Sequence, residues 1–440
     1  MVQFFKPQPK ALSNKAIEIT IDNLDHHLTA VGRHQGKACF VEGALPGEVV
    51  SVQVTDQKKQ HTLGKVKKII QPSAERQAPF CAAYESCGGC NAQFMPRTMQ
   101  WQAKQDGVIR LFKQLSQIEL PAPVWIESGE DSGYRRVCRL AVKFEPKTKR
   151  IHLGFREKNS QALIEIPECP VLTPSLSALI QPLRKLIRQL STPKMIGHVE
   201  LYDTESGLAV LLRHTGQIST KDETLLKAFS NENQAAVLVQ TNEGTHAVSD
   251  AKSHFYHLQD MTIGYQPGDF LQVNAAMNEK MVAHALSWLN VKSSDHVLDL
   301  FCGIGNFTLP IAKEAASVTG LEVVNDMVSR ARTNAVANGL KNAEFHRADL
   351  TKLEEYASAG WHKECYDLIL LDPGRAGATE LMPWLAKSKA RRIVYVSCNP
   401  VSAARDSAQL AKNYRVVQWG LLDMFPHTGH VESLFLFEQK

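Results

Sequence analysis

Apolar and polar positions alternate along residues 15–70, where KAIEITI carries Ile17, Ile19 and Ile21 and GKACFVEGALPGEVVSVQV breaks at Gly43, Pro46 and Gly47. Short strands with such turn punctuation predict a small OB-like β-barrel. A cysteine-bearing stretch at 81–90 follows, and then FMPRTMQWQAKQDGVIRLFKQL, which reads as a helix. Residues 134–166 return to strands, and 170–262 add helices and strands with no chemistry visible in them. From about residue 266 the apolar runs HVLDLFCGIG, ASVTGLEVV, AEFHRADL, YDLILLDPG and RRIVYVSCNP are separated by helical stretches, the signature of a doubly wound α/β domain. The chain closes in two strand-like pieces within YRVVQWGLLDMFPHTGHVESLFLFEQK, expected as an antiparallel hairpin on the sheet edge. The predicted class is therefore α/β in three parts: a barrel over 1–74, a central α+β domain over 75–265 and a Rossmann-like domain over 266–440.

Composition changes this picture in two respects. No apolar run approaches the roughly 20 residues that span a bilayer, and the first ten residues lack a signal-peptide core, so a cytoplasmic location is expected, with no membrane partner. The charge is also uneven: residues 1–160 hold 24 Lys and Arg against 15 Asp and Glu, leaving 26 against 30 in the remainder. A front of +9 on a rear of −4 predicts that one part grips a polyanion that another part processes. The basic residues concentrate around Lys65, Lys67 and Lys68 and again between Arg135 and Lys158, which holds nine Lys and Arg. Phe4, Phe5, Phe40, Tyr134 and Phe155 are candidate stacking rings. Nothing calls for an obligate protein partner, and a monomer is expected.

VLDLFCGIGNFTLPIAK places Asp299, Gly303 and Gly305 where a strand passes into a helix, and its glycines let a ligand approach the backbone. Thr308 stands where a dinucleotide fingerprint has its third glycine, which argues against NAD. Glu322, seventeen residues after Gly305, closes the next strand and can accept from both ribose hydroxyls, and Asp349 closes the third. This ordered series resembles the S-adenosylmethionine-dependent methyltransferases, and the resemblance implies that cofactor.

Asp372, in LLDPGRAG, and Cys398, in VYVSCNP, follow the next two strands and should face the same ligand, with Arg375 a nearby cation. Asn399-Pro400 predicts a helix start, and a helix N-terminus is expected to lower the thiol's pKa. A thiolate is needed where the methyl acceptor is C5 of a pyrimidine, because addition at C6 turns C5 into an enolate carbon. The C5 proton then requires a base; Glu432 is the leading candidate, with His427 and His430 as rivals.

LLDPGRAG, VSCNP and HTGHVESL together resemble the RNA uracil-C5 methyltransferase family, and FLQVNAAMNEKM matches a further family segment. The resemblance implies Cys398 as nucleophile, Glu432 as acceptor of the C5 proton and Asp372 with Gln272 in positioning. It puts Gln272, Phe301, Asn306, Glu322, Asp349 and Asp372 at the cofactor. His427 and His430 are left as structural.

Cys81, Cys87 and Cys90 form C-x5-C-x2-C, and Cys169 stands much later as Cys-Pro. Three clustered thiols in a reducing compartment point to a metal site, and the distant Cys-Pro favours a [4Fe–4S] cluster over zinc. Cys39, Cys138, Cys302 and Cys365 read as small buried residues. Residues 15–70 resemble a TRAM domain; among the family's branches, barrel and cluster together imply 23S ribosomal RNA as the substrate. The alternatives are the same chemistry on tRNA or another ribosomal uridine, or an RNA-binding protein with secondary methyltransferase activity.

Overall fold

The computed structural model describes residues 16–148, 150–249 and 253–440. Phe4, Phe5 and Lys149 lie outside these residues. The chain divides into two compact units: one runs to Phe80 and adds Cys90–Gly107 and His427–Gly429, and the other comprises Cys81–Gly89, Val108–Pro426 and His430–Lys440.

In the smaller unit the strands Ile17–Leu24, Ala30–His34, Lys37–Glu42, Val49–Gln57 and His61–Gln71 close into a barrel, its third and fifth strands running parallel. Alternation turns Ile19, Ile21, Val50 and Val52 inward, and closure leaves no edge open to another chain. Lys65, Lys67 and Lys68 stay exposed on the last strand, and Phe40 lies edge-on to His61. In the same unit His427 is buried, with its backbone at φ 61°. Its N–H donates to Gln100 and its carbonyl accepts from the amides of Asn91 and Ala92, so its role here is structural.

Among the described residues the larger unit holds two large sheets and a two-stranded one, His254–Leu258 against Met261–Tyr265. Four strands between Ile196 and Ala247 complete a seven-stranded sheet in the order Thr245–Ala247, Ala235–Gln240, Gly207–His214, Ile196–Thr204, Val137–Glu145, Arg150–Arg156, Leu163–Ile164. The helices Pro174–Gln189 and Thr220–Asn233 pack on one face through Leu176, Leu183 and Phe229 against Val199, Val210 and Leu212. The other face, with Tyr202, Ala209 and Leu211, enters the core that also contains Val297, Leu309 and Leu370. A strand such as Gly207–His214 is thus covered on both faces, which explains its unbroken apolar run AVLL. One core crosses residue 265, so the compact unit runs on from Val108 to Pro426 without a division there, while 75–80, Cys90–Gly107 and His427–Gly429 belong to the smaller unit.

The second sheet has eight strands in the order Ala343–Arg347, Ser317–Glu322, His296–Leu300, Leu368–Leu371, Arg392–Ser397, Glu432–Gln439, Tyr414–Leu422, Ile126–Glu127. The first five are parallel and Glu432–Gln439 is antiparallel to its neighbours. The terminal hairpin forms as expected but is not the edge: Ile126–Glu127 pairs outside it. No helix among the described residues is long and apolar enough to cross a membrane.

Three further expectations change. Cys365, between the helix Gly360–Lys363 and a sheet strand, is exposed, whereas Cys39, Cys138 and Cys302 are buried. Arg136 leaves the polyanion-facing set, being only 4% exposed. Phe155 packs against the core of the seven-stranded sheet, so its ring is not a free stacking platform.

Candidate active site

The order of the second sheet reverses at His296–Leu300, whose neighbours are the strands that come next and fourth in this domain. At such a switch point the loops leaving the carboxyl ends diverge and leave a crevice. A cavity of about 480 Å³ lies there. It is lined by Phe301, Asn306, Glu322, Asp372, Cys398 and Glu432, and by Gln272 from the segment before the helix Ala275–Leu289. Asp349 does not line it; its carboxylate accepts from the Thr351 amide and hydroxyl.

On the cofactor side the chain turns sharply after His296–Leu300. Phe301 takes φ +66°, a conformation costly for a bulky residue, and Gly303 and Gly305 follow at +57° and +100°. A Cβ at Gly305 would come within 2.9 Å of Leu309, so a side chain there would force the helix back. Thr308, in place of the third glycine, donates its hydroxyl to Asp299. Burial pushes the Asp299 carboxyl up to about 7 against that hydrogen bond. Glu322 accepts from the amides of Gly303 (3.2 Å) and Val324 (2.9 Å), which fixes the carboxylate and leaves lone pairs for further donors.

Asn306 is held by a network the sequence did not disclose. Its amide exchanges two 3.0 Å hydrogen bonds with Asn278, and the Tyr256 hydroxyl donates to its oxygen at 3.2 Å. The Arg136 guanidinium lies 4.5 Å over the Tyr256 ring, and its Nε donates to the Gln272 carbonyl at 3.1 Å. The signal that could have found Arg136 was its place beside Arg135 at the start of an apolar strand. Tyr256 and Asn278 carried no pattern.

Glu432 reaches the cavity through strand register. Ser397 pairs with Ser433, so the next step along the antiparallel ladder brings Glu432 alongside Cys398. Glu432 is 4% exposed, not a loop carboxylate in water, and burial with Asp372 nearby holds its pKa well above the usual carboxylate range. Burial alone pushes Asp372 up to about 7. Asn399 caps the helix Pro400–Leu410 by accepting from the Val401 amide, with Pro400 in the first turn. The expected depression of the Cys398 thiol is overturned: burial, then Glu432 and Asp372, push it up to about 12 despite the helix terminus and Arg375. His430, read from sequence as structural, lines the cavity beside Arg375, as do Phe425 and the exposed ring of Phe270.

The cysteines expected to bind metal are divided between the units: Cys81, Cys87 and Cys169 lie in the larger and Cys90 in the smaller. All four are half-buried and outside any disulfide. Burial raises the pKa of Cys87 and of Cys169, and Cys81 adds to both. Among the described residues, no three or more His, Cys, Asp or Glu side chains gather closely enough to hold a single metal ion.

The acid held in the cavity has a consequence for stability. Folding keeps a proton on Glu432 that the unfolded chain releases above its ordinary pKa, so stability is lost as pH rises through and beyond that value, by about 1 kcal/mol per pH unit for one proton. Thermal unfolding at pH 5 and pH 8 should show the unsubstituted protein losing more stability across that interval than Glu432→Gln. Parallel behaviour of the two would contradict the retained proton.

A family model described as tRNA (uracil-5-)-methyltransferase matches residues 97–440, and a TRAM domain model matches residues 10–67. A protein of Tolumonas auensis named 23S rRNA (uracil(1939)-C(5))-methyltransferase RlmD is 63% identical over 440 residues, covering all of both chains. One of the same name from Aeromonas salmonicida is 48% identical over 441 residues, again covering both in full. In fold, the chain is similar to the Pyrococcus abyssi tRNA (uracil-54, C5)-methyltransferase, solved in complex with S-adenosyl-L-homocysteine. Its TM-score is 0.71 and its identity 21%, over 96% of this chain and 100% of that one.

Proposed function

Because the chain belongs to the tRNA (uracil-5-)-methyltransferase family, we propose that it methylates C5 of a uridine in 23S ribosomal RNA, uracil 1939 as its relatives' names have it. The observation that carries the chemistry is the meeting of Cys398, Glu432 and Asp372 in one cavity opposite the Phe301–Gly305 turn. S-adenosylmethionine, when bound, supplies a methyl group on a cationic sulfur. Glu322 would accept from its ribose, while Phe301, Asn306, Gln272 and Asp372 would border the rest, with Asp349 closing the third strand nearby. A cation beside Asp372 and Glu432 lowers the pKa of both, so filling the site favours their ionised forms.

With the uridine flipped into the cavity, the Cys398 thiolate bonds to C6 and the C5–C6 π pair moves onto the C4 carbonyl as an enolate. C5 then takes the methyl group, the donor's carbon–sulfur bond breaking with its electron pair left on sulfur. Glu432 removes the C5 proton, that bonding pair restores C5=C6, and the C6–S bond breaks to return the thiolate. Asp372, on the Pro373 turn, borders the nucleophile and the cofactor side. Flipping costs a few kcal/mol, offset by phosphate contacts from Lys65, Lys67, Lys68 and the exposed basic residues of 137–158. An RNA target of this kind puts the protein in the cytoplasm, where it would act as a monomer. In functional terms the barrel (1–74) and the central segment (75–265) grip RNA and the remainder (266–440) methylates it.

The test uses two variants on 23S RNA lacking the modification. Cys398→Ala should abolish methylation while retaining cofactor binding, and Glu432→Gln should accumulate a covalent protein–RNA species that carries the methyl group. Full activity of Cys398→Ala, or no adduct with Glu432→Gln, would overturn the respective role.

A [4Fe–4S] cluster held by Cys81, Cys87, Cys90 and Cys169 belongs to the same reading. The donor types suit it: four cysteines outside any disulfide in a C-x5-C-x2-C…C-P pattern, the soft ligand set such clusters take. It would brace the RNA-gripping segment and takes no part in the methyl transfer. Protein purified without oxygen should carry about four iron and four sulfide per chain, lost in Cys169→Ser. An iron-free protein with full activity would contradict the cluster.

A further inference from the structure

Three carboxyl side chains, Glu322, Asp372 and Glu432, line the cavity, whereas among the described lining residues Arg375 is the only Lys or Arg. A thiolate at Cys398 is opposed by the two nearer acids and by burial, so the reaction needs a compensating positive charge on the nucleophile's side. The turns bearing the two residues are tied together. The Asn399 side-chain amide donates to the Arg375 carbonyl at 2.8 Å, while its oxygen caps the helix that begins one residue later. Asn399 thus fixes the Arg375 backbone against the residue adjoining Cys398. The Arg375 guanidinium lies against the His430 ring, its Nη2 3.3 Å from Nδ1 and 3.5 Å from Nε2.

We propose that Arg375 is the cation that makes the Cys398 thiolate accessible, held in place by Asn399 and by the His430 ring. The groups facing the thiol are then Asp372 and Glu432, which oppose its ionisation, and Arg375, which favours it; Tyr395, whose hydroxyl donates to Asp406, is held neutral by burial. Arg375 acts on the nucleophile through its field and gives up no proton, since a guanidinium stays charged throughout the working range. It also leaves His430 unsuited to compete with Glu432 for the C5 proton, because a second positive charge on the ring would lie against the guanidinium.

This rests on Cys398 being the nucleophile, and the test separates the two claims. Alkylation of Cys398 by iodoacetamide, followed by peptide mass mapping from pH 7 to pH 10, reads thiolate availability without RNA or methyl donor. Arg375→Gln should slow alkylation of Cys398 about tenfold at every pH, as for a rise of one pKa unit. Arg375→Lys, which keeps the charge, should stay within about threefold of the unsubstituted protein. The exposed Cys365 should react equally in all three. Equal alkylation of Cys398 in Arg375→Gln and the unsubstituted protein would overturn the assignment of Arg375 alone. Full methylation by Cys398→Ala would overturn the nucleophile on which it depends.

Discussion

The pairing of Ser397 with Ser433 is the constraint on which the site depends. One strand of the second sheet runs against the five parallel strands beside it, so its first residue, Glu432, arrives at the end of the sheet where those strands finish. A slip of one residue would turn Glu432 to the opposite face of the sheet and bring a neighbouring side chain to the cavity instead. The buried runs on both strands, Ile393–Val396 and Leu434–Phe437, hold the register by covering both faces. Catalytic geometry is thus fixed by core packing rather than by loop conformation.

Burial at that position sets the chemistry of the resting site. Burial raises the pKa of the Cys398 thiol and of both carboxyls in a cavity whose described lining holds one guanidinium, which favours the protonated nucleophile when no ligand is present. The helix terminus after Cys398 is too weak to reverse this, because Asn399 already occupies a leading amide and the two acids lie close by. Ionisation then follows from what binds: a cationic donor on one side and Arg375 on the other.

Much of this was legible in the sequence because strand, glycine and acidic residue recur in a fixed order. Gly303, Gly305, Glu322, Asp372 and Cys398 all sit where strand ends put them, and all line or shape one cavity. The barrel was readable from alternation, and the helix at Pro400 from its Asn-Pro start. Illegible were the contacts set by tertiary packing. Tyr256, Asn278 and Arg136 come from three distant segments and meet only because the seven-stranded sheet buries its second face against the methyltransferase core. The same shared core hid the absence of a boundary at residue 265. The pKa of Cys398 was misjudged because a local feature, the helix start, was visible and the buried neighbours were not.

The central claim is that this cavity makes 5-methyluridine in 23S ribosomal RNA. Transfer of labelled methyl from S-adenosylmethionine to unmodified 23S RNA and to unmodified tRNA, with mass mapping of the labelled nucleotide, tests it most directly. Label as 5-methyluridine at a single position of 23S RNA, uracil 1939, is the predicted result. Label in tRNA, or at a carbon or nitrogen other than C5, would contradict it.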